Sequence, residues 1–237
     1  MTGFETQTYR AATSAGELVL QVRGTTPPSA SLILEGMFLI DSDSAESERE
    51  LARLGLEALQ RARGRGRAAS GDVRVVVGGL GLGITLRALL DAMGEGGVTV
   101  VEVFDPVVAW NRGPLVALNG DALRDPRVSC FVGDLREYVT QGSDAIDLFL
   151  LDIDNGPTWL ALPSNAWLYS RVGLEALHAR LAPAGVAAFW ATERAPDFEA
   201  RLADLPWGAW SYASVRTPVR PGEPPLECCV YFVVCGA

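Results

Sequence analysis

The residues best suited to chemistry in this chain are oxygen donors, and they recur just after apolar runs. Leu151-Asp-Ile-Asp-Asn-Gly-Pro157 gathers two carboxylates, Asp152 and Asp154, and the amide of Asn155 into one short loop. Glu102-Val-Phe-Asp105 and Gly133-Asp134 add further acids, and Gly78-Gly-Leu-Gly-Leu-Gly83 adds a glycine turn. A carboxylate beside an amine can hold its ammonium form and accept the proton that must leave before nitrogen attacks. A glycine turn lets backbone and ligand approach closely, and one that opens a helix presents the helix's positive end to a nucleotide. The single histidine, His178, lies at helical spacing from Leu174 and Leu181, which marks a helix face rather than a catalytic triad. None of the four cysteines shows metal-ligand or disulfide-framework spacing, so no metal site is expected.

These groups need elements to position them. Val73–Val77, four valines and Arg74, is the valine-rich run expected of a buried parallel strand. The glycines Gly78, Gly79, Gly81 and Gly83 follow, and Ile84–Met93 carries a helical pattern. Val98–Val103 is the next strand, with Glu102 about 20 residues past the turn, the place of an acid that binds a ribose hydroxyl. Pro106–Arg112 starts a short helix that Gly113-Pro114 interrupts. Val128–Val132, Ile146–Leu151 and Val186–Trp190 continue the strands, with helices over Leu135–Val139, 165–181 and Asp197–Leu205. Trp207–Arg216 and Glu227–Cys235 make a terminal strand pair. Alternation of this kind predicts a doubly wound α/β sheet, whose ligands sit beyond the carboxyl ends of its strands. The glycines, Glu102, Asp134 and the loop Asp152–Asn155 all fall there.

Residues 17–40 read differently, as two strands joined by the turn Gly24-Thr-Thr-Pro-Pro-Ser29. The expected division is a hairpin segment over 1–43 and an α/β domain over 44–237. Asp41, Asp43 and Glu46 precede a helix in which Ser47 and Glu50 have capping-box spacing and Leu51, Leu54 and Ala58 form an apolar face. These acids either bind a cationic substrate or complement the helix dipole.

The formal charge of −9 argues against a partner held through nucleic-acid phosphates. The basic stretch Arg61-Ala-Arg-Gly-Arg-Gly-Arg67 reads as a solvated helix end and linker. No run of 18 apolar residues suggests a membrane span, and the first ten residues lack the order of a signal peptide. The expectation is a cytoplasmic protein with buried, reduced thiols.

The glycine turn, Glu102-Val-Phe-Asp105, Gly133-Asp134 and Leu151-Asp-Ile-Asp-Asn-Gly-Pro157 together resemble the class I S-adenosylmethionine (SAM)-dependent methyltransferase superfamily. Within it they look like the spermidine/spermine synthase-like branch, which sets a small β-rich segment ahead of the main sheet. The resemblance implies a Rossmann-like class I methyltransferase sheet with helices on both faces, preceded by a small N-terminal β-hairpin, and a homodimer. It implies that Gly78, Gly79, Gly81 and Gly83 line the methionine and ribose end of a SAM-type ligand. Glu102 would bind the ribose hydroxyls, Asp134 and the backbone of Leu135 the adenine, and Asp152 the attacking amine. Asp154, Asn155 and Tyr169 would assist, with Trp159, Asn165 and Trp167 around a small, amine-containing acceptor.

Aminopropyltransferases carry an Asp within the glycine loop to grip the amine of decarboxylated SAM. Leu80 and Leu82 stand in this loop instead, and the acidic loop is shortened to Asp152-Ile-Asp-Asn155. On that ground the expected activity is methyl transfer from SAM. Aminopropyl or other alkyl transfer from decarboxylated SAM, with release of methylthioadenosine, comes second. A non-catalytic binding module comes third.

Overall fold

The computed structural model describes residues 5–64, 73–206, 209–217 and 225–236. The first four residues of the N-terminal decapeptide, residues 65–67 of the basic stretch and Trp207 of the terminal strand pair lie outside them.

The N-terminal segment is a four-stranded antiparallel sheet rather than the expected two-stranded hairpin. Its strands β1 (Thr6–Thr13), β2 (Gly16–Arg23), β3 (Ser29–Leu34) and β4 (Met37–Asp41) pair in chain order. The apolar run over 30–40 is split because Glu35 and Gly36 both adopt positive φ, 48° and 80°, and reverse the chain. Leu18, Leu20, Leu32 and Leu34 are buried and join the same apolar cluster as Val75, Val77 and Leu148 of the main sheet. Two strands alone would be marginal in water, and that shared core supports this sheet.

A 3-10 turn at Ser42–Ser44 leads into α1 (Glu46–Arg63). The expected capping box does not form. The helix starts early enough that Ala45 is its N-cap, which puts Ser47 inside the first turn. Ser47 donates its hydroxyl to Glu48 at 2.7 Å, and Glu50 pairs with Arg53 instead. The buried face of α1 runs through Ser47, Glu48, Leu51, Ala52, Gly55, Ala58 and Leu59, an amphipathic stripe that contains a carboxylate. At Gly55 the helix passes so close to the sheet that a Cβ would run into Leu150.

The rest alternates: β5 (Val73–Gly78), α2 (Ile84–Ala92), β6 (Gly96–Glu102), α3 (Asp105–Asn111), α4 (Val116–Asn119), β7 (Val128–Val132), α5 (Leu135–Gln141), β8 (Ile146–Leu151), α6 (Arg171–Arg180), β9 (Leu181–Ala191), α7 (Pro196–Ala203), β10 (Trp210–Thr217) and β11 (Leu226–Val234). The strands form one sheet in the order β10-β11-β9-β8-β5-β6-β7. The five from β9 to β7 are parallel, and β11 and β10 close the other edge antiparallel. The helix expected over 165–181 resolves into a 3-10 turn, Pro163–Trp167, and α6, which Ser170 caps by accepting the Gly173 amide at 3.1 Å.

Period-two alternation sorts the strand residues between two apolar layers. Val75, Val77, Val98, Val100, Leu148 and Leu150 face α1, α2 and the N-terminal sheet. Val76, Val101, Phe149 and Leu151 face α5, α6 and α7. Among the described residues no helix is long and apolar enough to cross a membrane.

Leu150 is fully buried beneath α1. Truncation to Ala should remove about 2–5 kcal/mol of stability, the usual result of emptying a leucine site in a closed core. Equilibrium denaturant unfolding would measure it, and a loss below about 1 kcal/mol would mean that α1 does not pack there as described.

Candidate active site

The carboxyl ends of the parallel strands open into one cavity, and the N-terminal sheet roofs it. Leu32, Leu34, Leu39 and Ile40 come from the roof; Gly79, Gly81, Glu102, Gly133, Asp134, Leu135 and Asp152–Asn155 come from the strand ends. Val103, Phe104 and Val107 supply an apolar side, and Glu48 reaches in from α1.

The glycine turn is shaped by what it passes. Gly79 has φ 86°, donates its amide to the Val101 carbonyl at 2.9 Å, and leaves no room for a Cβ, which would overlap the Asp152 carbonyl. Gly81 also lines the cavity. Gly78 and Gly83 do not. Gly78 is buried at the end of β5, where its carbonyl accepts the Asp152 amide at 2.9 Å. Gly83 is the left-handed N-cap of α2 and packs on Asn111 and Asn119. Leu80 and Leu82 turn into the core and are buried.

Glu102 is buried, and both its oxygens are engaged: Oε2 accepts the Leu80 amide and Oε1 the Phe104 amide, each at 2.9 Å. Burial raises its pKa, and the backbone amides around it, from Phe104, Leu80, Gly81 and Val103, oppose the rise. Each oxygen keeps a second lone pair, so the group can grip the loop and accept from a ligand hydroxyl at once. Asp134 caps α5 by accepting the Arg136 amide at 2.7 Å, beside Leu135 on the cavity wall.

Asp152 and Asp154 differ in kind although two residues apart. Asp154 sits at φ 58°, accepts the amides of Ala161 and Leu162, and takes the Asn165 amide group at 2.6 Å. Its oxygens shape the loop. Asp152 accepts one side-chain bond, from the Thr85 hydroxyl at 2.6 Å, at the first turn of α2. Burial pushes the Asp152 carboxyl above the usual carboxylate range, against that one hydrogen bond. Asn155 is buried on the cavity wall, and its carbonyl holds the amide and hydroxyl of Thr192.

The cavity holds a group that the sequence reading missed. Glu48 is buried, bonded to the Ser47 hydroxyl, and raised well above a usual glutamate, first by burial and then by the charge of Asp152. The available signal was a charged residue sharing a helix face with Leu51 and Gly55. Trp190, also missed, lines the same cavity, and its buried indole N–H finds no acceptor among the described residues. It stands at the carboxyl end of β9, where the sheet topology concentrates ligand contacts. Past Glu48 lies a second cavity, lined by Phe38, Ser44, Ser47, Thr192, Thr217 and Cys228. It shares Leu39, Ile40, Glu48, Asn155 and Trp190 with the first.

Of the acceptor group expected from sequence, only Asn165 reaches the cavity. Tyr169 is buried in an aromatic cluster edge-on to Phe198, donating its hydroxyl to the Ile153 carbonyl at 2.9 Å, and burial raises its pKa. It supports the acidic loop from behind. Trp159 is exposed, and Trp167 lies under the Arg136 guanidinium. Asp41 and Asp43 pair with Arg23, and Glu46 with Arg49, so these three acids already have cationic partners.

No known protein-family model matches the chain. Over 118 residues it is 31% identical to polyamine aminopropyltransferase 2 of Pseudomonas aeruginosa, a match spanning 48% of this chain and 32% of that protein. The chain thus aligns with about a third of the length of that curated relative. Its structure superimposes on a spermidine synthase crystallised with the transition-state analogue AdoDATO, with a TM-score of 0.72 and 17% identity, covering 96% of this chain and 73% of the other. The spermidine synthase of Thermotoga maritima gives 0.70 at 16% identity, covering 96% and 72%. A probable spermidine synthase of Corynebacterium glutamicum gives 0.67 at 18%, covering 95% and 78%. The chain therefore has the spermidine synthase-like form of the class I SAM methyltransferase fold.

These likenesses overturn the expectation of methyl transfer. The relative is an aminopropyltransferase and the three structures are spermidine synthases. The preference for methyl transfer rested on an acid missing from the glycine loop and on the shortened acidic loop, and the cavity holds a further carboxylate, Glu48, from α1.

Glu48 has a stability signature. A carboxyl whose pKa is raised on folding costs nothing while protonated, and destabilises increasingly as pH climbs from its unfolded value, about 4.3, through its folded one. Glu48→Gln should therefore raise stability at pH 8 by about 1–2 kcal/mol and little below pH 5. Denaturant melts at both pH values test this, and equal effects at both would show that Glu48 is not raised.

Proposed function

We propose that the protein is an aminopropyltransferase that moves the aminopropyl arm of decarboxylated SAM to a small-molecule amine and releases methylthioadenosine. The observation that carries this reading is Asp152. Its carboxylate is held by Thr85 at the wall of a cavity built on the glycine turn, with Glu48 as a second carboxylate in the same space. The sequence match to a polyamine aminopropyltransferase and the spermidine synthase-like fold support it.

In this reading Gly79 and Gly81 pass the sulfonium end of the donor, Glu102 takes its ribose hydroxyls, and Asp134 and Leu135 border the adenine against Val103, Phe104 and Val107. Asp152 orients the acceptor amine and accepts its proton. The nitrogen lone pair forms a C–N bond to the carbon attached to sulfur, the C–S pair leaves with sulfur, and the sulfonium becomes a neutral thioether. Most of the acceleration comes from holding nitrogen and carbon in line, and the carboxylate contributes by keeping the amine unprotonated at the moment of attack. Asp154, Asn155 and, behind them, Tyr169 keep the loop of Asp152 in place.

The purified protein, given decarboxylated SAM and a panel of diamines and polyamines, should release methylthioadenosine with at least one of them. No release with any amine would overturn the reading. Asp152→Asn should lower kcat/KM by about 10²-fold or more. Because the raised carboxyl must be ionised to act, the wild-type rate should climb with pH across the mildly acidic range. A rate flat with pH would remove Asp152 from the proton's path.

The division into residues 1–43 and 44–237 belongs to the same proposal, as does assembly into a homodimer through the N-terminal sheet, where β1 is largely exposed and Phe38 faces outward. Light scattering at micromolar concentration should give twice the chain mass; a monomer would refute the assembly. A cytoplasmic setting is supported by four free thiols.

A further inference from the structure

We infer that Glu48 is the donor-selecting residue: it supplies from α1 the carboxylate that the glycine loop lacks and holds the donor's ammonium, favouring decarboxylated SAM over SAM, while Asp152 stays with the acceptor amine. The inference rests on the aminopropyl-transfer reading and specifies how this chain achieves it.

The loop itself offers no charge. Leu80 and Leu82 are buried in the core, and only Gly79 and Gly81 reach the cavity. Glu48 lines that cavity and senses Asp152 electrostatically, while Asp152 is tied to Thr85, two residues past the loop. The two carboxylates therefore line the same cavity as the exposed glycines of the loop. Each makes its side-chain hydrogen bond to a neutral hydroxyl, Ser47 or Thr85, and neither has an ion pair among the described residues.

Among the described residues the cation that acts on Glu48 is Arg49, next in α1, and it is exposed and already paired with Glu46. Cys228 faces Glu48 from β11, and burial keeps its thiol neutral. The other titratable groups on the cavity wall, Glu102, Asp134 and Asp154, are all acids. Two buried carboxylates so placed are either partly protonated or balanced by a cation from the ligand. The ammonium of decarboxylated SAM provides that cation. SAM brings the same ammonium with its own carboxylate attached, which would face two like charges, and repulsion of that kind rejects a competitor as effectively as new contacts attract a substrate.

Calorimetric titration of the wild type and Glu48→Gln with decarboxylated SAM and with SAM, near pH 6.5 in two buffers of different ionisation enthalpy, tests the inference. The wild type should bind decarboxylated SAM at least about tenfold more tightly and release a proton on doing so, as the pair becomes fully ionised. Glu48→Gln should lose most of that preference through weaker binding of decarboxylated SAM, change its SAM affinity by less than about threefold, and release less proton. A melting curve confirms that the variant is folded. Unchanged preference and unchanged proton release in the variant would overturn the assignment, as would a wild type that prefers SAM or binds neither. Failure of the underlying reading looks different. The wild type would show the Glu48-dependent preference and yet yield no methylthioadenosine with any amine.

Discussion

The site depends on how closely the chain leaving β5 passes the chain leaving β8. The Gly78 carbonyl takes the Asp152 amide, and at Gly79 the backbone is left-handed and abuts the Asp152 carbonyl. A side chain there would push the two strand ends apart. That crossing fixes Asp152 against the first turn of α2, where Thr85 can reach it. Further bonds lace the rim: Gly79 to Val101, Leu80 to the Glu102 carboxylate, and Gly133 to the Glu102 carbonyl at 2.9 Å. The polar groups of the cavity thus hang from a rigid edge of backbone, and their geometry follows from sheet pairing rather than from loop conformation.

On that edge the acids have divided their roles by how many of their oxygens are already used. Glu102 and Asp154 accept several backbone or amide hydrogens and act as structural clamps that also face the cavity. Asp152 and Glu48 each have one hydroxyl partner and most of their bonding capacity in reserve. Under-satisfied buried charge is costly, so a pair of such groups in one cavity lowers stability and marks a candidate binding site.

Much of this was legible in the sequence. β5, the glycine turn, α2, β6 and the acids at the strand ends announce themselves because a doubly covered parallel strand is valine-rich and its turn must be glycine-rich. The N-terminal sheet was half legible. Thr6–Thr13 mixes polar and small residues with little apolar alternation, since no residue of β1 is fully buried, and the break at Glu35-Gly36 lies between two apolar runs that read as one. Glu48 was hidden by a plausible local rule. Ser47 and Glu50 have capping-box spacing, and the actual helix start shifts their roles. Its importance arises only when α1 docks over Gly55 and swings that face toward Asp152, a tertiary event without a local signature. Tyr169 erred in the opposite sense. Proximity in sequence to the acidic loop suggested a place in the cavity, and packing against Phe198 put it behind.

The two sheets also differ in how their strands find one another. In the N-terminal sheet each strand pairs with the next across a short turn, so its contacts are local and close at small entropic cost. In the main sheet β5 lies between β6 and β8, and the pairing of Val75 with Leu148 joins residues more than 70 positions apart. Such closures are slow steps in folding. The cavity needs its roof from the first sheet and its floor from the second, so it exists only after the slowest pairing is complete. The cavity is accordingly a property of the complete fold and of neither sheet alone.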